Sequence, residues 1–110
     1  MTANKFRSLA LEIPGALESS HMDHPDFRLA GKIFASLGYP DDGYGMVKLT
    51  PEQQQTFLKR APDVFAPCAG AWGKRGATSV CLRVASVALL RAALDAASKN
   101  VTIPKNKAKL

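Results

Sequence analysis

Phe6, Leu9, Ala10 and Ile13 recur at i, i+3, i+4 and i+7, a spacing that lays them along one side of a helix. Thr2 stands ahead of them as a capping residue and Pro14-Gly15 behind them as a stop, so the pattern predicts a short amphipathic N-terminal helix. Beyond it the period shortens. Residues 17–22, 27–30, 32–37 and 44–49 are brief alternating or apolar runs, read as strands. Their separators are His24-Pro25-Asp26, the single Gly31 and the segment GYPDDGYG, all turn formers, and the result is an antiparallel meander.

Thr50-Pro51-Glu52-Gln53 combines a cap, a proline at the first helical position and a Gln at the capping-box position, which announces a helix to Arg60 with Phe57, Leu58 and Ala61 as its buried stripe. Ala61-Pro62 ends it. The stretch VFAPCAGAWGKRGA, with three glycines and a proline, predicts a strand edge followed by an exposed loop. Residues 78–83 read as a further strand. Ser86 then caps a last helix whose Val87, Leu90, Leu94 and Ala97 share one face, with Arg91–Asp95 and Asp95–Lys99 as i, i+4 ion pairs. This order has too few crossovers for a parallel sheet. It predicts an α+β fold, an antiparallel β-sheet with helices packed on one face, a two-layer sandwich in which only one sheet face must be dry.

At 110 residues the chain suits a single core, assigned to residues 1–98, followed by a basic tail, 99–110, expected to lack fixed structure. The apolar fraction of 46% against 22% charged excludes a wholly disordered chain. No apolar run reaches the ~18 residues of a membrane span and no signal-peptide core opens the sequence, so a cytoplasmic protein is expected. Cys68 and Cys81 match no zinc or redox spacing and read as reduced structural thiols. The net charge of +6 is uneven: four basic side chains face six acidic ones up to Met46, and eleven face three after it. Four of those eleven, Lys99, Lys105, Lys107 and Lys109, lie in the tail, so the folded part itself is only mildly basic.

The stretches ESSHMDHPDFRLAGKIFASL, MVKLTPEQQQTFL, PDVFAPCAGAWGKRGATSVCL and LLRAALDAA, taken in this order, resemble the MmcQ/YjbR family over nearly the whole chain up to about Ala97. The resemblance implies a compact α+β domain likened to the frataxin/CyaY fold, and DNA binding through a double wing of hairpin loops; it brings no catalytic residues. The lysine tail departs from the shared pattern.

Strand alternation supplies the first candidate site. With Phe27, Leu29, Ile33, Ala35, Leu37, Val47, Leu49, Val80 and Leu82 turned to the helices, Arg28, Lys32, Phe34, Met46, Lys48, Cys81 and Arg83 point away. Cations from Arg28, Lys32, Lys48 and Arg83 around Phe34 and Tyr44 would suit phosphates and stacked bases. A solvated face, or one partly covered by a second copy of the chain, stands beside that reading. The second candidate is GAWGKRGAT, where Trp72, Lys74 and Arg75, with Gly70, Gly73 and Gly76 for flexibility, would form a wing along a groove; the counter-reading is Trp72 folded back as a lid on the core.

Other chemistries find less support. Gly70 to Gly73 is too short for a Walker A loop. Glu18, His21 and His24 at odd spacing along a strand would alternate faces, so they read as local hydrogen-bonding groups near the Pro25 turn, with no metal. Neither cysteine carries an activating signature, and Asp41-Asp42-Gly43 is a turn without calcium ligands behind it. The expectation is a non-enzymatic protein without cofactor that binds nucleic acid weakly and with steep salt dependence, or else a protein-interaction or homodimerising module.

Overall fold

In a computed structural model, whose described residues are 1–102, Thr2 caps helix α1 (Ala3–Leu11) by accepting a hydrogen bond from the Lys5 amide at 3.0 Å. Strands β1 (Leu17–His21), β2 (His24–Leu29), β3 (Lys32–Leu37) and β4 (Tyr44–Lys48) follow as a meander. Helix α2 (Pro51–Arg60) opens with the expected capping box: the Thr50 hydroxyl accepts from the Gln53 amide at 3.1 Å and the Gln53 side chain accepts from the Thr50 amide at 2.9 Å. Then come β5 (Phe65–Pro67), a short helix α3 (Gly70–Lys74), β6 (Ala77–Cys81), a 3-10 turn over Leu82–Val84, and α4 (Val87–Thr102).

All six strands pair antiparallel in the order β1-β2-β3-β4-β6-β5. The α+β architecture is the expected one. Phe6 and Leu9 of α1, Phe57 of α2 and Leu90 and Leu94 of α4 meet Phe27, Phe34, Val47 and Val80 of the sheet in one continuous core. Burial of side chains this size, about 1.5–3 kcal/mol each, is what holds the helices to that face.

Four details differ from the sequence-based expectation. The first hairpin turns at Met22-Asp23, whose φ of 50° and 66° are the positive values that a two-residue turn matching strand twist requires, and His24-Pro25-Asp26 lies inside β2. The second is a β-bulge in β3, where Phe27 pairs with Ala35 and Arg28 with Ile33, leaving Phe34 as the extra residue. The bulge turns Phe34 into the core, fully buried, and puts Lys32 opposite Leu29 on the helix side. Thirdly, β6 stops at Cys81, so Arg83 sits in the 3-10 turn, off the sheet. Lastly, Arg91 reaches Glu12 of the α1 end at 3.2 Å instead of Asp95, while Asp95 does pair with Lys99 at 3.0 Å.

Helix α4 also runs past the expected domain end. Asn100 donates to the Lys48 carbonyl at 3.0 Å and to the Gln53 side chain at 2.8 Å, tying residues at the start of the presumed tail to the end of β4. The tail lysines Lys105, Lys107 and Lys109 lie outside the described residues. No helix among the described residues is long and apolar enough to cross a membrane.

Candidate nucleic-acid interface

The sheet face away from the core is not uniformly wet. One register row crosses it through Ser19, Asp26, Ser36, Met46, Ser79 and Ala66, and its four central members are buried. A series of rings explains the burial. His24 of β2 meets Tyr39 of the β3–β4 turn edge to face with centroids 5.4 Å apart, and Tyr39 meets Trp72 of α3 at 6.5 Å. His24 stands on β2, while Tyr39 and Trp72 line a hollow with Ser79 of β6, so this chain of rings runs across the part of the face that carries the buried row.

On the β1–β2 half of this face, positive charge is consumed internally. Asp26 is fully buried and accepts two hydrogen bonds from the Arg28 guanidinium, at 2.8 and 3.0 Å, while His21 Nδ1 lies 2.7 Å from its second oxygen. The Arg28 hydrogen bond holds the Asp26 carboxyl below the usual carboxylate range; burial opposes this and the His21 hydrogen bond adds to it. Residues two apart on a strand share a face, which is why Asp26 and Arg28 meet. His21 and His24 also share it, because they close the Met22-Asp23 turn on paired strands instead of alternating along one.

On the β4–β6 half the cations are left for solvent. Lys48, Trp72 and Arg75 line a depression of about 240 Å³ with Leu49 and Ala77. The ion pairs among the described residues are Arg7–Glu18, His21–Asp26, Arg28–Asp26, Arg91–Glu12 and Lys99–Asp95, so neither Lys48 nor Arg75 has a carboxylate partner there. The segment expected to be a flexible wing is instead helix α3, and Gly73 and Gly76 serve close packing. A Cβ on Gly73 would stand 1.8 Å from the Cys68 carbonyl oxygen, and one on Gly76, at φ 114°, 1.9 Å from that of Leu49. Gln54 of α2 pins the same region by donating to the carbonyls of Gly73 and Ala77 at 3.0 and 3.1 Å.

Trp72 thus adopts neither expected extreme. It is 42% exposed, packed edge-on against Tyr39 over the far face, and no lid on the core. Trp72 also lines a second hollow, of about 410 Å³, walled further by Tyr39, Pro40, Tyr44 and Pro67 and floored by Ala66 and Ser79. The Cys68 sulfur sits 3.5 Å from the Ser79 hydroxyl, and burial pushes its thiol up, with that hydrogen bond acting in the opposite direction.

Of the residues singled out in the sequence, the structure therefore brings together Lys48, Trp72 and Arg75. Lys74 lines a separate groove with Pro51, Gln55 and Pro67. Arg28 is on the far face but neutralised, Lys32 is exposed at a hairpin end on the helix side, Phe34 is core, and Arg83 lies at the Cys81 end of β6, opposite the Ala77 end that pairs with Lys48. Tyr39 and Asp26 were missed. Asp26 had a readable signal in its i, i+2 spacing to Arg28, hidden by placing it in a turn; Tyr39 meets Trp72 only through tertiary structure.

An antiparallel six-stranded sheet with helices on one face and a ring-covered far face defines the class of α+β domain. The YjbR family profile matches residues 11–99, and the chain belongs to that family. Among solved structures, it is similar to a crystal structure of a Deinococcus radiodurans protein with the family domain DUF419, at 23% identity and a TM-score of 0.76 over 98% of this chain and 86% of that one. That likeness carries the fold alone. No curated protein matches the chain.

Proposed function

We propose that this YjbR-family domain is a non-enzymatic nucleic-acid-binding protein that contacts phosphates through Lys48 and Arg75, with Lys74 flanking them, beside the exposed indole of Trp72. The observation that carries this reading is the convergence around one depression of a half-exposed tryptophan and two cations that have no carboxylate partner among the described residues. Cations held next to an aromatic ring suit a phosphodiester backbone with bases that stack, and the sequence tolerance of both contacts fits weak, non-specific binding. Partial burial pushes the Cys68 thiol up, which makes it a poor nucleophile and favours binding over catalysis. Titration of labelled single-stranded and duplex DNA at about 50 and 200 mM salt tests it: two or three phosphate contacts give a log–log salt slope of about −1.4 to −2 on a single strand. Absence of binding to both forms at the lower salt would end the proposal.

A second reading rests on β1. This strand forms one sheet edge, its outer backbone groups have no strand partner among the described residues, and Leu17 and Met22 at its two ends are 71% and 87% exposed. An open edge of this kind suits pairing with a second copy of the chain. Sedimentation would then give a dimer that Ser19→Pro dissociates, whereas a monomer at all concentrations would dismiss it.

A further inference from the structure

The hollow beyond Trp72 has no role in the phosphate contacts just described. It is walled by the rings of Tyr39, Tyr44 and Trp72, with small side chains beneath, and its volume of about 410 Å³ lies within the ~300–1,000 Å³ range of small-ligand sites. Flat aromatic walls over a floor with one hydroxyl, that of Ser79, suit a nucleobase that has left its stack. Trp72 lines both this hollow and the Lys48–Arg75 depression, so a base-sized space and a cationic one share a single indole. We infer that the hollow between Tyr39, Tyr44 and Trp72 receives one unstacked base of a single-stranded nucleic acid, whose adjoining phosphate lies against Lys48 and Arg75. This rests on the nucleic-acid reading above and narrows it to single strands.

The chemistry favours a base over other occupants of the same size. Lys48 and Arg75 stand ready for the adjoining phosphate, while the carboxylates near the hollow, Asp41 and Asp42, lie in the turn beyond Pro40, where Asp41 accepts from the Gly43 amide at 2.9 Å. The Ser79 hydroxyl both donates and accepts, and the Cys68 thiol is beside it, so the floor serves any base edge and selects weakly among them. A duplex offers its bases already paired and stacked, and extracting one costs free energy that a single strand does not spend.

The test uses the full chain, a fluorescein-labelled oligothymidylate of about 12 nucleotides and a duplex of the same sequence at about 50 mM salt. The single strand is expected to bind at least about tenfold more tightly and to quench the emission of the one tryptophan. Tyr39→Ala removes a wall, and Ala66→Leu fills the hollow from an exposed edge-strand position; each is expected to weaken single-strand binding about tenfold while leaving duplex binding unchanged. Circular dichroism melting of both variants checks that either one, at least, is folded. Equal affinity for the two forms, with both variants unaffected while Lys48→Glu or Arg75→Glu abolishes binding, would overturn the base site and leave the nucleic-acid reading standing. Thymidine monophosphate binding as tightly as the oligonucleotide would overturn the strand assignment in favour of a free nucleotide. Failure of strand and duplex alike to bind would remove both proposals together.

Discussion

Arg28 and Lys48 stand on the same face of the sheet, two strands apart, and near the same end of it. The Arg28 guanidinium is bound to a buried carboxylate on its own strand. Lys48 has for neighbours an arginine, a tryptophan and open space. The β1–β2 half of the face uses its cation to satisfy the buried carboxylate of Asp26; the β4–β6 half has no ion pair for its cations among the described residues. Formal charge is therefore a poor guide to a binding surface until each cation's partner is known.

The largest way to break this contrast is to unseat the second half. Gly73→Ala pushes a Cβ to 1.8 Å from the Cys68 carbonyl, a backbone clash that no rotamer relieves, and α3 must move. Overpacking of this severity is expected to destabilise by about 3 kcal/mol. Thermal melting should show a drop on the order of 15 °C, and DNA affinity should fall with it because Trp72 and Arg75 lose their positions. A Gly73→Ala variant that melts with wild type would mean that α3 packs differently from what is described.

The first half should respond in the opposite sense, with stability lost and binding kept. Asp26→Ala leaves Arg28 and His21 without their shared acceptor and is expected to cost about 2 kcal/mol in urea denaturation, with DNA affinity unchanged within about twofold. The pH dependence has a definite sign. Because the folded carboxyl titrates below its unfolded value, its contribution is complete above that value, from about pH 4 upward, and is lost as pH falls through the lower folded one. Wild-type and Asp26→Asn stabilities should hence differ at neutral pH and converge in acid; a constant gap would assign the effect to packing.

Comparing these halves also marks how far the sequence can be read. The α1 cap, the α2 capping box, the antiparallel meander and the one-sided core follow from local spacing, and each is present. Face assignments along β3 failed because a single bulge residue, Phe34, shifts the parity of everything before it in that strand, and nothing in KIFASL announces the bulge. Strand alternation correctly put Lys48 on the far face, whereas its proximity to Arg75 depends on how α3 docks. The glycines of GAWGKRGAT suggested flexibility by composition, but Gly73 and Gly76 are there for close approach, a distinction that only the neighbouring carbonyls reveal.

Separating the two halves by binding alone needs paired neutral variants. Lys48→Ala and Arg75→Ala are each expected to weaken DNA binding about threefold at 50 mM salt and to reduce the salt slope by about 0.7, one phosphate contact on a single strand. Arg28→Ala should change neither, despite removing the same charge from the same face. If Arg28→Ala weakened binding as much as the other two, the whole face would act as one diffuse field and the contrast would dissolve.

The smallest expected effect probes the rim of the second half. Asp42 lies in the turn between Pro40 and Tyr44, both of which line the hollow, and it makes no ion pair among the described residues. A carboxylate there repels an approaching phosphodiester, and salt screens that repulsion with a Debye length of ~10 Å at 0.1 M. Asp42→Asn should raise DNA affinity by up to about twofold at 50 mM salt, with the gain fading as salt is added. Asp41 is the wrong residue for this test, since its carboxylate accepts from the Gly43 amide and its removal would loosen the turn itself. A gain from Asp42→Asn that persisted at high salt would point to a change of turn conformation, and the charge explanation would then fail for this side of the hollow.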